Sequence, residues 1–220
     1  VLSHLGSGSV IGLAAVDASS QGKPHPGQEF NLGVWDRWNA MSRRERADEF
    51  LKANALLVDR YESMDHETRE NLRIDLGFLP APVDVNTAAT MRLSEFALHS
   101  WDVHVSFDPT AALAPEAVEP LLERGDVLFG WISKPAVLEG KSSVLKVQTT
   151  GPDRVFALNL GERITLDSDV PSRPDGTLSL PAESWLRLVS GRLSPTHTPA
   201  SASVSGNAEL DLLRRVFPGY

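Results

Sequence analysis

The spacing of apolar residues changes period part-way along the chain. As far as about residue 133 apolar positions recur every three or four residues, as in helices that bury one face. Leu2, Leu5, Val10, Leu13, Ala14 and Val16 predict a helix over 1–18. Gly6, Gly8 and Gly12 weaken it, since each glycine costs a helix about 1 kcal/mol relative to alanine. A Pro/Gly loop follows at 21–27. Ser42-Arg43-Arg44-Glu45 matches a capping box and opens a helix whose apolar face is Phe50, Leu51, Ala53, Leu56, Leu57 and Tyr61. Pro80 and Pro82 punctuate the loop before a helix over 86–105, and another is predicted over 116–131.

After Pro135 the period falls to two. Residues 143–150 alternate as a half-buried strand does, Gly151-Pro152-Asp153 is turn chemistry, and 154–160 reads as the returning strand. Further strands are expected over 162–167, after the Asp175-Gly176 turn, and over 200–205. Residues 181–190 form a short helix with Pro181 at its first turn and Gly191 at its end, and 208–216 another. Helices followed by strands define an α+β class. Residues 1–133 are the helical domain, and 138–220 a small α+β domain with an antiparallel sheet.

Composition narrows the function classes. A net charge of −8 with no basic stripe argues against nucleic acid as a partner. No apolar run reaches the roughly 20 residues that span a bilayer, and no signal-peptide pattern opens the chain, so no membrane partner and a cytoplasmic location are expected. With no cysteine among 220 residues, disulfides, Cys-ligated zinc and a cysteine nucleophile are excluded. Any thiol chemistry needs a thiol from outside.

Glu95 and His99 carry the clearest chemistry. Residues four apart on a helix stack on one face with Cβ atoms roughly 5–6 Å apart, a spacing that lets two side chains grip one metal ion. The plain alternative is a Glu–His hydrogen bond on a helix surface. Leu93, Phe96, Ala97 and Trp101 make the helix apolar around much of its circumference, and a buried carboxylate is costly unless paired or metal-bound. His4, between Leu2 and Leu5, points toward a helical interior either as a hydrogen-bonded core residue or as a third ligand. A His4–Glu95–His99 set would leave one zinc position open, as catalytic zinc does. Asp102, three residues past His99, either fixes that ring's second nitrogen or pairs with a basic neighbour. His25, His66 and His197 read as polar surface residues, and His104, about 140° around the helix from His99, as structural or surface. Gly6-Ser7-Gly8 has neither the strand nor the lysine of a phosphate loop.

Leu2-Ser3-His4-Leu5, together with Arg92-x-x-Glu95-x-x-x-His99-x-Trp101-Asp102-Val103, resembles the mycothiol-dependent maleylpyruvate isomerase family of the DinB-like superfamily. Ser205-Gly206-Asn207-Ala208-Glu209-Leu210-Asp211-Leu212-Leu213 is similar to the closing segment of that family's sterol-carrier-like C-terminal domain. The resemblance implies a DinB-like helical bundle whose first helix would precede Val1, with zinc held by His4, Glu95 and His99. It further implies mycothiol as a thiol cosubstrate and a small electrophilic substrate, either isomerised like maleylpyruvate or joined to the thiol by S-transfer. An acidic substrate would want a cationic anchor, for which Arg37, beside Trp35 and Trp38, and Arg173 are candidates. The rival classes are a non-catalytic small-molecule binding protein with a structural or vestigial metal, and a thiol-independent zinc hydrolase.

Overall fold

The computed structural model describes residues 1–123 and 132–219. Its element order is α+β: a helical first part, then a sheet module. The chain forms two compact units, Val1–Phe96 and Ala97–Tyr220, and the division falls inside one continuous helix. By compactness the chain thus parts at a different place from the change of secondary structure near residues 133–138.

The first unit holds α1 (Leu2–Ser20), α2 (Gln28–Ala40), α3 (Arg43–Glu62) and α4 (His66–Asn71). A two-stranded antiparallel ribbon follows, β1 (Arg73–Ile74) with β2 (Val83–Asp84), and leads into α5 (Val85–His104). Helix α1 packs on α2, α3 and β1, and Gly6 is what lets α2 approach. A Cβ on Gly6 would stand 2.1 Å from the Trp38 ring, and one on Gly8 3.3 Å from Arg92 Nη1. Buried Ser7 and Ser9 satisfy their hydroxyls by donating to the carbonyls of His4 and Leu5.

Helix α2 has no counterpart among the sequence expectations. Only Val34 and Trp38, one turn apart, are buried on it, while Phe30, Leu32 and Trp35 are exposed, so no apolar stripe marks it. Its last carbonyls, on Trp38 and Asn39, accept from Arg46 of α3. Helix α3 carries the expected capping box: Glu45 N donates to Ser42 Oγ and Ser42 N to Glu45 Oε2. One core cluster gathers Val34, Trp38 and Ala53; a second gathers Ala15, Val16, Met64, Ile74, Val85 and Ala88. Asp84 starts α5 by accepting both the amide and the hydroxyl of Thr87.

The second unit takes the last turns of α5, then α6 (Pro115–Glu123). The rest of the helix expected over 116–131 lies outside the described residues. A five-stranded sheet follows, with β3 (Ser143–Thr150), β4 (Arg154–Leu160), β5 (Thr165–Asp167), β6 (Gly176–Pro181) and β7 (Ser203–Gly206) in the order β5-β4-β3-β6-β7. Three pairings are antiparallel, as expected; β3 and β6 run parallel, with Val147 opposite Leu178. The link from β5 carries the chain back to the far side of β3, so two strands of like direction meet. Leu145, Val147, Leu178 and Leu180 bury one face of the sheet. Against β3 and β6 packs α7 (Ala182–Val189), whose Trp185 meets Phe156 edge-on, and α8 (Leu210–Val216) packs on α7.

Gly191, at φ +74°, closes α7 with a Schellman motif. Arg192 N donates to the Arg187 carbonyl and Gly191 N to that of Leu188. Among the described residues no helix is long and apolar enough to cross a membrane.

Candidate metal centre

The first turn of α1 and the middle of α5 bring three donors together. His4, Glu95 and His99 each offer a ligand atom, and these atoms all lie within 4.8 Å of one another. The division between the two units falls between Glu95 and His99, but both sit on one unbroken helix, so helical geometry sets their spacing. His4 Nε2 stands 2.6 Å from Glu95 Oε2.

The expectation that His4 points into a buried interior is not met. Its side chain is 58% exposed, while Glu95 and His99 are half-buried. Helix α1 buries Leu5, Gly6, Ser7 and Ser9, and His4 falls just off that face. His4 therefore meets solvent.

Arg92 fixes the position of α1 against α5. Its Nη2 donates to the Leu5 carbonyl, to Ser9 Oγ and to Asn54 Oδ1, tying α1 and α3 to the turn of α5 that precedes Glu95. Burial lowers the pKa of this guanidinium, opposed by the charges of Glu95 and Tyr61. Gly8 is the residue that leaves room for it. The sequence placed Arg92 in a motif without giving it a role; the signal was a cation one turn before a carboxylate on a partly apolar helix.

Downstream, Asp102 Oδ2 lies 2.9 Å from His99 Nδ1. The same carboxylate receives Arg192, Nε to Oδ1 at 2.8 Å and Nη2 to Oδ2 at 2.9 Å. Burial raises the Asp102 carboxyl pKa, but the Arg192 hydrogen bonds and charge, with those of His99, outweigh it and hold the group below the usual carboxylate value. A carboxylate only accepts, so Nδ1 of a neutral His99 carries the proton and Nε2 the lone pair. Of the two readings of Asp102 from sequence, the contact to the second ring nitrogen is present; the cation that Asp102 pairs with is no neighbour on the helix face but Arg192, 90 residues on. The residue before it, Trp101, lies under the Arg187 guanidinium, whose Cζ is 5.1 Å from the ring centroid, and Arg187 is itself paired to Glu183.

The donor set suits zinc: two imidazoles and a carboxylate, one histidine oriented from behind by a carboxylate. Two donors of a tetrahedral zinc stand about 3.3 Å apart. The 2.6 Å His4–Glu95 pair is closer, and the exposed His4 side chain can rotate to accommodate the difference.

The remaining candidates lie elsewhere. Arg37 is exposed on α2, next to Trp38 and two residues before Asn39, whose side chain accepts from Ser3. Arg173 is exposed in the loop between β5 and β6. His66 and His104 are exposed, as expected. His25 and His197 are half-buried and structural: His25 Nδ1 accepts the Gly27 amide at the entry to α2, and His197 meets the Trp101 ring edge-on. Compared with protein-family models and with curated proteins, the sequence matches none.

Proposed function

We propose that this chain is a zinc-dependent enzyme that uses a low-molecular-weight thiol, mycothiol by resemblance, on a small electrophilic substrate. The observation that carries the reading is the convergence of His4, Glu95 and His99 on one point. Three protein donors leave a coordination position for an incoming ligand. Bound there, zinc would hold a thiol as its nucleophilic thiolate at neutral pH.

The chain's own residues do the rest. His99 is oriented by Asp102, and Arg92 holds α1 so that His4 meets Glu95. No cysteine of the chain competes with the external thiol. Arg37 and Arg173, both exposed, are the proposed anchors for the carboxylate of an acidic substrate. With a cis-unsaturated acid such as maleylpyruvate, thiol addition to the double bond, rotation and thiol loss would give the trans acid. With a substrate bearing a leaving group, the thiol would stay attached.

A second reading is favoured by the His4–Glu95 contact at 2.6 Å, which the two side chains make without a metal. On that reading the chain is a non-catalytic small-molecule binding protein. The two part in one assay: zinc-loaded protein with mycothiol and maleylpyruvate, following loss of the cis acid, beside a panel of alkylating electrophiles. Turnover that requires both thiol and zinc, and disappears in His99→Ala, supports the enzyme. Zinc-loaded protein that turns over none of these contradicts it in favour of the binding protein, and thiol-independent cleavage of an ester or amide contradicts it in favour of a hydrolase.

A further inference from the structure

We propose that Arg192 is a positioning residue for the metal centre: by clamping both oxygens of Asp102, it locks His99 in the Nδ1–H form, which leaves Nε2 as the nitrogen with a lone pair for a metal. Its consequence for zinc rests on the metal reading above, whereas its effect on the His99 ring does not.

The chain of causes begins in the backbone. Gly191 takes φ +74°, which L side chains rarely adopt, and so turns the chain sharply at the end of α7. The first residue after that turn is Arg192, whose amide closes the motif on the Arg187 carbonyl and whose Nη1 donates to the Ser190 carbonyl. Both ends of the side chain are therefore held. Its side chain is only 11% exposed and meets Asp102 through two parallel hydrogen bonds, the fork geometry that arginine offers and lysine does not.

That geometry matters to His99 because one oxygen is shared. Asp102 Oδ2 accepts from Arg192 Nη2 and lies 2.9 Å from His99 Nδ1. Asp102 is one turn along α5 from His99 and its side chain is 29% exposed, so without the clamp it has rotamers and water to turn to. With the clamp, the plane of the carboxylate is fixed and one lone pair of Oδ2 is aimed at Nδ1. A partner of this kind behind a ligating histidine is worth about 10–100-fold in metal affinity. Here the carboxylate is itself held, by a residue 90 positions away in sequence.

The test reads the ring directly. Imidazole 15N spectra of zinc-free protein, at alkaline pH where the rings are neutral, should show His99 as the Nδ1–H tautomer. Arg192→Ala and Asp102→Ala should both shift it toward Nε2–H, with Arg192→Lys in between. Zinc affinity by chelator competition should fall about 10-fold or more in Arg192→Ala. Circular dichroism and the ring signals of the other histidines report folding; if the alanine variant does not fold, Arg192→Lys is the variant read. An unchanged His99 tautomer in a folded Arg192 variant, with Asp102→Ala shifted, overturns the proposal. A shifted tautomer supports it even if the parent protein binds no zinc, a result that would count against the metal reading alone.

Discussion

Replacing Gly6 by alanine sets two effects against each other at one position of α1. In an open helix the change would stabilise by up to about 1 kcal/mol, because alanine is the better helix former. Here the added Cβ would lie 2.1 Å from two atoms of the Trp38 ring, and Trp38 is 0% exposed with no free space to move into. Carbon atoms rest at roughly 3.5–4.0 Å, so the ring or the helix must shift by about 1.5 Å. Overpacking of that kind costs about 1–3 kcal/mol, and a rigid indole sits at the upper end. The net expectation is a loss of about 1–2 kcal/mol. Gly12 provides the internal comparison: its nearest neighbour, Leu57 Cδ2, would be 3.5 Å from a new Cβ, an ordinary contact. Gly12→Ala should therefore gain up to about 1 kcal/mol. Urea denaturation of the two variants beside the parent, with matched slopes, measures both. A Gly6→Ala protein as stable as the parent would refute the argument that α1 carries this glycine for the sake of Trp38.

Two further predictions concern the second unit. Burial raises the Glu183 pKa, but Arg187, Ser184 and the Leu113 amide outweigh it and bring it below the usual value of 4.5. The stability it contributes is thus fully present above that value and is lost as pH falls through the folded-state pKa. Glu183→Gln should flatten this acid limb in a denaturation series. At neutral pH it should cost about 3 kcal/mol, because it strands Arg187, which is 4% exposed. An unchanged acid limb would show that the pair does not titrate with folding. Gly191→Ala meets both a left-handed backbone, which costs a side chain about 1–2 kcal/mol, and a Cβ 2.5 Å from Gly219 N and Pro218 O. Its melting temperature should drop by several degrees, and an unchanged value would remove the turn from the account of Arg192.

The strand hairpin 143–160, the Ser42 capping box and the span of α5 were legible because each is a local pattern, and the structure returns them nearly residue for residue. Helix α2 was not, because a single turn of burial at Val34 and Trp38 leaves no repeating stripe, and the exposed Phe30, Leu32 and Trp35 blur what there is. The parallel placement of β6 beside β3 depends on where the chain returns, which no local period encodes. At the site, the i,i+4 spacing of Glu95 and His99 was plain, and His4 offers a ligand atom within 4.8 Å of theirs. Its exposure was not foreseen, since Leu2 and Leu5 around it suggested an inward face and a helix turn is coarse enough to miss by one position. Arg192 left one sequence signal, the glycine that ends α7. Its partner lies too far away in sequence for that signal to identify.

The central claim is that His4, Glu95 and His99 form one metal site, and metal content tests it most directly. Protein stripped with chelator, dialysed against zinc and analysed by mass spectrometry should carry about one zinc per chain, the number that one three-donor site holds. His4→Ala, Glu95→Ala and His99→Ala should each lose it while remaining folded. A parent that takes up no zinc, or triple-alanine protein that keeps it, would contradict the account.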